Sequence, residues 1–149
     1  MTIKRWLYTT GFSVLFLIQL LVLPAAADYF NSAITDTNDP NYWLDQGGLF
    51  ATYGSYTNAI EAYKKALALD ANNSKAYYDM AVAYGELGEL DEALVEINRA
   101  IALDASRSQY YYGRAWLLLK AGRMVEAKDN FRKAADMGNL DAITYLQER

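Results

Sequence analysis

The chain contains no cysteine and no histidine in its 149 residues, and only two prolines. Without cysteine there is no disulfide, no thiolate nucleophile and no lipid-modified N-terminal cysteine, so the folded part must be held by packing alone. Without histidine the chain lacks the commonest general base near neutral pH and the commonest metal ligand. Any chemistry would rest on carboxylates, lysines, tyrosines or hydroxyls, and no nucleophile–base pair, phosphate loop or metal-ligand cluster is discernible among them. An enzyme is therefore not expected, nor a cofactor, nor a metal. Basic residues are also in deficit, with 14 Lys and Arg against 18 Asp and Glu, a net charge of −4. That balance argues against a nucleic-acid partner, whose phosphates need a basic face, and against an anionic membrane surface.

Long apolar runs are confined to the N-terminus. Lys4 and Arg5 precede a run that reaches Leu23, Pro24 breaks it, and Ala25, Ala26 and Ala27 stand just before Asp28. This is the pattern of a secretory signal cleaved after Ala27. The alternative is an uncleaved membrane anchor, because Trp6 to Leu23 approaches the length that crosses a bilayer, although Thr9, Thr10, Gly11, Ser13 and Gln19 dilute it. Either reading exports the remainder, to a periplasmic or extracellular location. Losing Lys4 and Arg5 leaves 12 basic against 18 acidic residues, a net charge of −6. Residues 28–39 are polar and turn-rich and read as a linker or N-terminal arm.

What the chain does have is a period. Gly54, Gly88 and Gly122 recur at a shift of 34 residues, as do Ala59, Ala93 and Ala127, and Ala66, Ala100 and Ala134. The sets Trp43, Tyr77, Tyr111 and Tyr63, Ile97, Phe131 keep the same step. A fixed period of this length marks a stack of similar supersecondary units. The units are 40–73, 74–107 and 108–141, each with two helix-period apolar stripes separated at a glycine. Asp39 before Pro40 is a helix start. In the middle unit Tyr77, Met80, Ala81 and Tyr84 share one face of the first helix. Gly88 supplies the turn, Asp91 is expected to cap the second helix, and Ala93, Leu94, Ile97, Ala100 and Ile101 form its buried face. The alanines are small where helices cross closely. A last segment from Leu140, with Leu140, Ile143 and Leu146 on one side, reads as a helix (140–149) that caps the final unit.

These columns resemble the tetratricopeptide repeat. The pattern is carried by Trp43, Gly47, Phe50, Gly54, Ala59, Tyr63 and Ala66, by Tyr77, Ala81, Tyr84, Gly88, Ala93, Ile97 and Ala100, and by Tyr111, Ala115, Leu118, Gly122, Ala127, Phe131 and Ala134, over about 102 residues. The chain departs from it where Ala71, Ala105 and Asn139 replace a proline after the second helix and where Gln46 and Arg114 replace a leucine. The resemblance implies an all-α, right-handed helical-repeat solenoid of three helix-turn-helix units plus a capping helix. Family members bind peptide or helical segments in an inner groove lined by the first helices. Carried onto this chain, the groove is Leu44, Lys75, Tyr78, Asp79, Val82, Gln109, Tyr112, Trp116, Leu119 and Lys120, on a surface that also includes Asn41, Gly48, Ala51, Thr52, Glu86 and Gly113.

That set is aromatic and apolar with scattered charge, which suits an apolar anchor from a protein or peptide partner. The competing reading of Tyr78, Tyr112 and Trp116 is packing against a neighbouring helix or the arm. One subfamily clamps a partner's C-terminal carboxylate at places that here hold Leu44, Gly48, Asp79, Gln109 and Gly113; none supplies a cation, and Asp79 would repel a carboxylate. The acidic run Glu86, Glu89, Asp91, Glu92 and Glu96 reads as a solvated turn with helix N-terminal acids, not a calcium loop. Asn72-Asn73-Ser74 is a glycosylation sequon that is equally an inter-unit turn. The functional expectation is an exported adaptor, holding part of another protein in its groove and serving the assembly or stabilisation of an envelope complex. The alternative is a membrane-anchored structural subunit packed permanently in a larger complex. A membrane enters only through the N-terminal segment, if it is retained.

Overall fold

The Asp39–Pro40 pair starts the first helix as its chemistry predicts: the Asp39 carboxylate accepts from the Asn41 backbone N–H at 2.8 Å, and proline occupies the first helical turn. The computed structural model describes residues 37–148. The leader expected over 1–27 and all but the end of the arm expected over 28–39 lie outside the described residues. Seven helices and no strand occur among those described: α1 (Pro40–Thr52), α2 (Tyr56–Leu69), α3 (Ser74–Leu87), α4 (Leu90–Leu103), α5 (Ser108–Lys120), α6 (Met124–Asp136) and α7 (Leu140–Gln147). Each packs on the next, and the first helices also meet one another, α1 with α3 and α3 with α5. The architecture is an all-α solenoid. No helix among the described residues is long and apolar enough to cross a membrane.

Local chemistry sets the helix ends. Asn73 and Asn139 cap α3 and α7 by accepting from Ala76 N and Ala142 N at 3.0 and 2.9 Å, each worth about 1 kcal/mol. Gly88 ends α3 at φ 82°, a left-handed conformation that would strain any residue with a Cβ, and its equivalents Gly54 and Gly122 turn the same way. The expected Asp91 cap is corrected: α4 begins at Leu90, so the capping position falls two residues earlier, on Glu89, which makes no side-chain bond. Asp91 and Glu92 instead lie in the first turn, where they favour the helix dipole.

The alanine columns lie at the helix crossings, as their recurrence predicts. Ala59, Ala66, Ala81, Ala93, Ala100, Ala115, Ala127 and Ala134 are fully buried. The larger core residues fill the space the alanines leave. Ile97 and Phe131 sit with Ala81, Ala93, Ala115 and Ala127 in one cluster, and Tyr63 with Ile60, Met80 and Ala83 in another. Ile101 is only half-buried, so the expected face of α4 is one residue narrower. At the end of the array Ala142, Tyr145 and Leu146 of α7 pack on the core, while Leu140, expected on that face, is 76 % exposed. Arg114, which stands where a leucine was expected, reaches Asn130 at 2.7 Å and Asn98 at 2.8 Å, so a polar network replaces the missing apolar contact. Burial holds its guanidinium pKa below the usual value.

Two adjacent glycines in α1 test the packing. A Cβ on Gly47 would stand 2.3 Å from the Tyr63 ring, whereas one on Gly48 would meet nothing within 4 Å. Helix propensity favours alanine over glycine by about 1 kcal/mol at either site. Overpacking against a rigid buried ring costs about 1–3 kcal/mol and outweighs that gain at Gly47 only. Gly47→Ala is expected to lower the denaturation midpoint and Gly48→Ala to raise it; chemical denaturation of both variants checks the pair.

Candidate functional site

Helices α3 and α5 lie side by side, and the residues one turn apart on their facing surfaces form an open depression of about 170 Å³. It is lined by Tyr78, Val82 and Glu86 from α3 and by Tyr112, Gly113, Trp116, Leu117 and Lys120 from α5. Half of the ten groove residues expected from the sequence, Tyr78, Val82, Tyr112, Trp116 and Lys120, thus come together in one place. Its walls are apolar in the middle and charged at one end. There Lys120 donates to Glu86 at 2.9 Å and to the Gly85 carbonyl at 3.2 Å, joining α5 to α3.

The aromatic side chains are held by different partners. Tyr78 stacks on Tyr110 with centroids 5.0 Å apart, and its ring passes so close to the α5 backbone that a Cβ on Gly113 would stand 2.8 Å from it. Gly113 therefore both lines the depression and gives the Tyr78 ring its seat. Tyr110 is fixed in turn by its hydroxyl, 3.1 Å from that of Ser74. Trp116 lies edge-on to Tyr112, Phe131 and Tyr145, with centroids 6.3, 5.7 and 5.6 Å away, while Phe131 and Tyr145 stack at 3.9 Å. One edge of Trp116 packs on neighbouring helices, while 40 % of the residue stays exposed. A pre-held aromatic surface loses little rotamer entropy when it is covered.

The other expected residues lie elsewhere. Leu44 packs with Phe50 and Ile60 in the first core cluster of the array. Leu119 faces away from the depression and lines a second one, of about 300 Å³, with Met124, Val125, Lys128, Tyr145 and Leu146. Gln109 borders a polar hollow at the turn before α5 with Asp104, Ser106 and Arg107. Lys75 and Asp79, one turn apart on α3, form an ion pair in which Lys75 is exposed and Asp79 largely covered. Burial raises the Asp79 carboxyl above the ordinary carboxylate range, and the Lys75 ammonium offsets only part of this. Burial, then the nearby Asp79 charge, likewise keeps the Tyr63 hydroxyl neutral.

Sequence reasoning missed two features. Gly85 gives Leu117 its place, since a Cβ there would stand 2.4 Å from the Leu117 side chain. The second is a ladder of cations over the aromatic column: Lys65 lies 4.0 Å from the Trp43 ring centroid, Arg99 5.8 Å from Tyr77 and Lys133 5.9 Å from Tyr111. Lys65, Arg99 and Lys133 recur at the same 34-residue step, so the signal was present in a column that looks merely solvated. Each such contact is worth about 0.5–1 kcal/mol.

Comparison with known proteins gives one family. Three tetratricopeptide repeat models match residues 23–74, 51–117 and 108–137. The second tetratricopeptide domain of human RPAP3, solved in complex with the HSP70 peptide SGPTIEEVD, is 30 % identical, with 73 % of this chain and 96 % of that one covered and a TM-score of 0.65. The crystal structure of MamA is 26 % identical over 93 % of this chain and 75 % of its own, also at a TM-score of 0.65. The first domain of human RPAP3 matches at 24 % identity, covering 75 % and 90 % of the two chains, with a TM-score of 0.70. No curated protein matches the sequence.

The buried acid makes a pH prediction. With the folded pKa of Asp79 above its unfolded value, the native state binds the proton more tightly, so this residue's contribution to stability falls as pH rises through the carboxylate range. Asp79→Asn is expected to be more stable than wild type at neutral pH, the gap closing as pH drops below the unfolded carboxylate pKa. Paired thermal melts at neutral and acidic pH measure it.

Proposed function

The chain belongs to the tetratricopeptide repeat family, and from the depression between α3 and α5 we propose that it is a protein-interaction adaptor gripping a partner by an apolar or aromatic side chain. The observation that carries this reading is Trp116, braced edge-on by Phe131 and Tyr145 yet 40 % exposed beside Tyr112, Val82 and Tyr78. A rigid, partly exposed aromatic at the centre of a depression with a polar rim is the arrangement of an interface hot spot. The rim is the Glu86–Lys120 pair, already mutually neutralised, so it guides orientation more than it adds affinity.

The ligand chemistry differs from that of the RPAP3 domain solved with SGPTIEEVD. The positions expected for a carboxylate clamp hold Leu44, Gly48, Asp79, Gln109 and Gly113, and the one charge among them is negative. An acidic peptide terminus would meet the Asp79 carboxylate with no free cation to receive it. The segment bound here is therefore internal or uncharged at its end, and apolar at its anchor. Its setting follows from the leader of residues 1–27: an exported adaptor in the assembly of an envelope complex. The 18-residue run from Trp6 to Leu23 supports a second form of the same role, with the adaptor tethered to the membrane. Intact mass of the protein recovered from cells separates the two.

The test is capture of partners from the envelope fraction by wild type, Trp116→Ala and the outer-face variant Arg132→Ala, followed by titration of the partner recovered. Trp116→Ala is expected to weaken binding by about 2 kcal/mol or more while Arg132→Ala leaves it unchanged. Affinity should vary little with salt, since desolvated apolar contacts are poorly screened. Equal affinity for all three proteins, or saturable binding of the SGPTIEEVD peptide, contradicts the proposal.

A further inference from the structure

The second-helix column formed by Ile60, Leu94 and Lys128 changes character at the last unit. Ile60 and Leu94 are buried in clusters that include the first helix of the following unit, α3 or α5, whereas Lys128 is exposed. Met124 and Val125, on the same end of α6, are 67 % and 78 % exposed. The cause is the length of the helix that follows. Helices α3 and α5 run for 14 and 13 residues, while α7 has eight and packs on Phe131 and Ala134 in the C-terminal half of α6. The N-terminal half of α6 thus forms one wall of the depression of about 300 Å³, with Leu119, Tyr145 and Leu146 as the others. That depression stands where the last turns of a full-length first helix lie in the earlier units.

The earlier units say what shape fits there. Ile60 clusters with Met80 and Ala83 of α3, and Leu94 with the adjacent pair Leu117 and Leu118 of α5. The filling element is therefore a helix that presents apolar side chains from its last turns. Charge says what else it carries. Met80 shares a column with Arg114, one turn before Leu117 and Leu118, so that position of a filling helix comes to the Ile60 place, which Lys128 takes in α6. The α6 acids Glu126 and Asp129 are paired with Arg123 and Arg132, and Lys128 enters no ion pair among the described residues. An unpaired ammonium on the wall of an apolar depression favours a carboxylate borne on an apolar surface.

We propose that the depression between α5, α6 and α7 docks a helical segment of a partner protein, with an acidic residue one turn before two adjacent apolar residues. The apolar pair fills the space against Leu119, Met124 and Val125, and the carboxylate meets Lys128. This is the mode in which a helix lays its apolar face into a groove. So short a helix is marginal in water, and a segment already helical in the partner loses less entropy on docking. The site is separate from the depression between α3 and α5, and the inference does not rest on the function proposed for that one.

The probe is a fluorescent peptide of the α5 sequence, residues 108–120, carrying Arg114→Glu and held helical by a side-chain link between positions 112 and 116, on the face opposite the apolar pair. It is titrated against the full chain and its variants. Saturable binding is expected, weakened about tenfold or more by Val125→Asp in the protein or by Leu117→Ala with Leu118→Ala in the peptide. Val125 is exposed, so its replacement leaves the core as it is. The peptide that keeps Arg114 should bind wild type about threefold less tightly and Lys128→Glu about threefold more tightly than the acidic peptide does. Val82→Asp, in the other depression, should leave the affinity for the acidic peptide unchanged. No saturable binding, equal affinity for wild type and Val125→Asp, an unreversed charge preference in Lys128→Glu, or loss of binding on Val82→Asp each overturns the proposal.

Discussion

At the helix crossings of this array the alanines Ala59, Ala66, Ala93, Ala100, Ala127 and Ala134 have no exposed surface, and the helix axes can approach as they do only because nothing larger stands there. That approach governs the rest. It places Tyr63, Ile97 and Phe131, which share one column, against the first helix of their own unit and that of the next. It also sets the distance between successive first helices, and hence the width of the depression between α3 and α5. With no cysteine and no metal-ligating cluster among the described residues, packing is what holds the units in register.

Glycines adjust this frame at particular points and so make the site individual. Gly85 and Gly113 each admit a side chain from the neighbouring unit, Leu117 at one and Tyr78 at the other. The first closes the floor of the depression and the second draws Tyr78 over α5. Charge is paired around this frame. Asp79 is kept in a poorly solvated place beside Lys75, and Glu86 and Lys120 neutralise one another at one end of the depression. The depression is thereby aromatic and apolar with an internally paired charge at its edge.

The recurring alanines, the turn at Gly88 and the aromatic columns were legible because each obeys the 34-residue period and has one mechanical meaning. Tyr78, Val82, Tyr112 and Trp116 were legible as a surface for the same reason. What the period could not reveal lies where it is broken. Tyr145, which braces Trp116, stands 34 residues after Tyr111, but α7 begins 32 residues after α5, so the shared step does not give it the same place on its helix. Leu119 sits in a groove position by register, but with residues of α6 and α7 it lines a different depression. That Gly113 also seats a ring was not legible, because Tyr78, which fills the space, comes from a residue 35 positions earlier. The cation ladder of Lys65, Arg99 and Lys133 is periodic and was passed over because charged residues on exposed helix faces ordinarily have no partner of consequence.

The claim that small residues at the crossings position the aromatic site is tested most directly by near-ultraviolet circular dichroism of Ala127→Leu. Ala127 is fully buried beside Phe131 and Ala115 and lines neither depression. The added bulk must part α5 from α6 or displace Phe131, and with it Trp116 and Tyr145. The account predicts a variant whose far-ultraviolet helical signal is kept while its near-ultraviolet aromatic signal is strongly reduced. An aromatic signal indistinguishable from that of the wild type would contradict it.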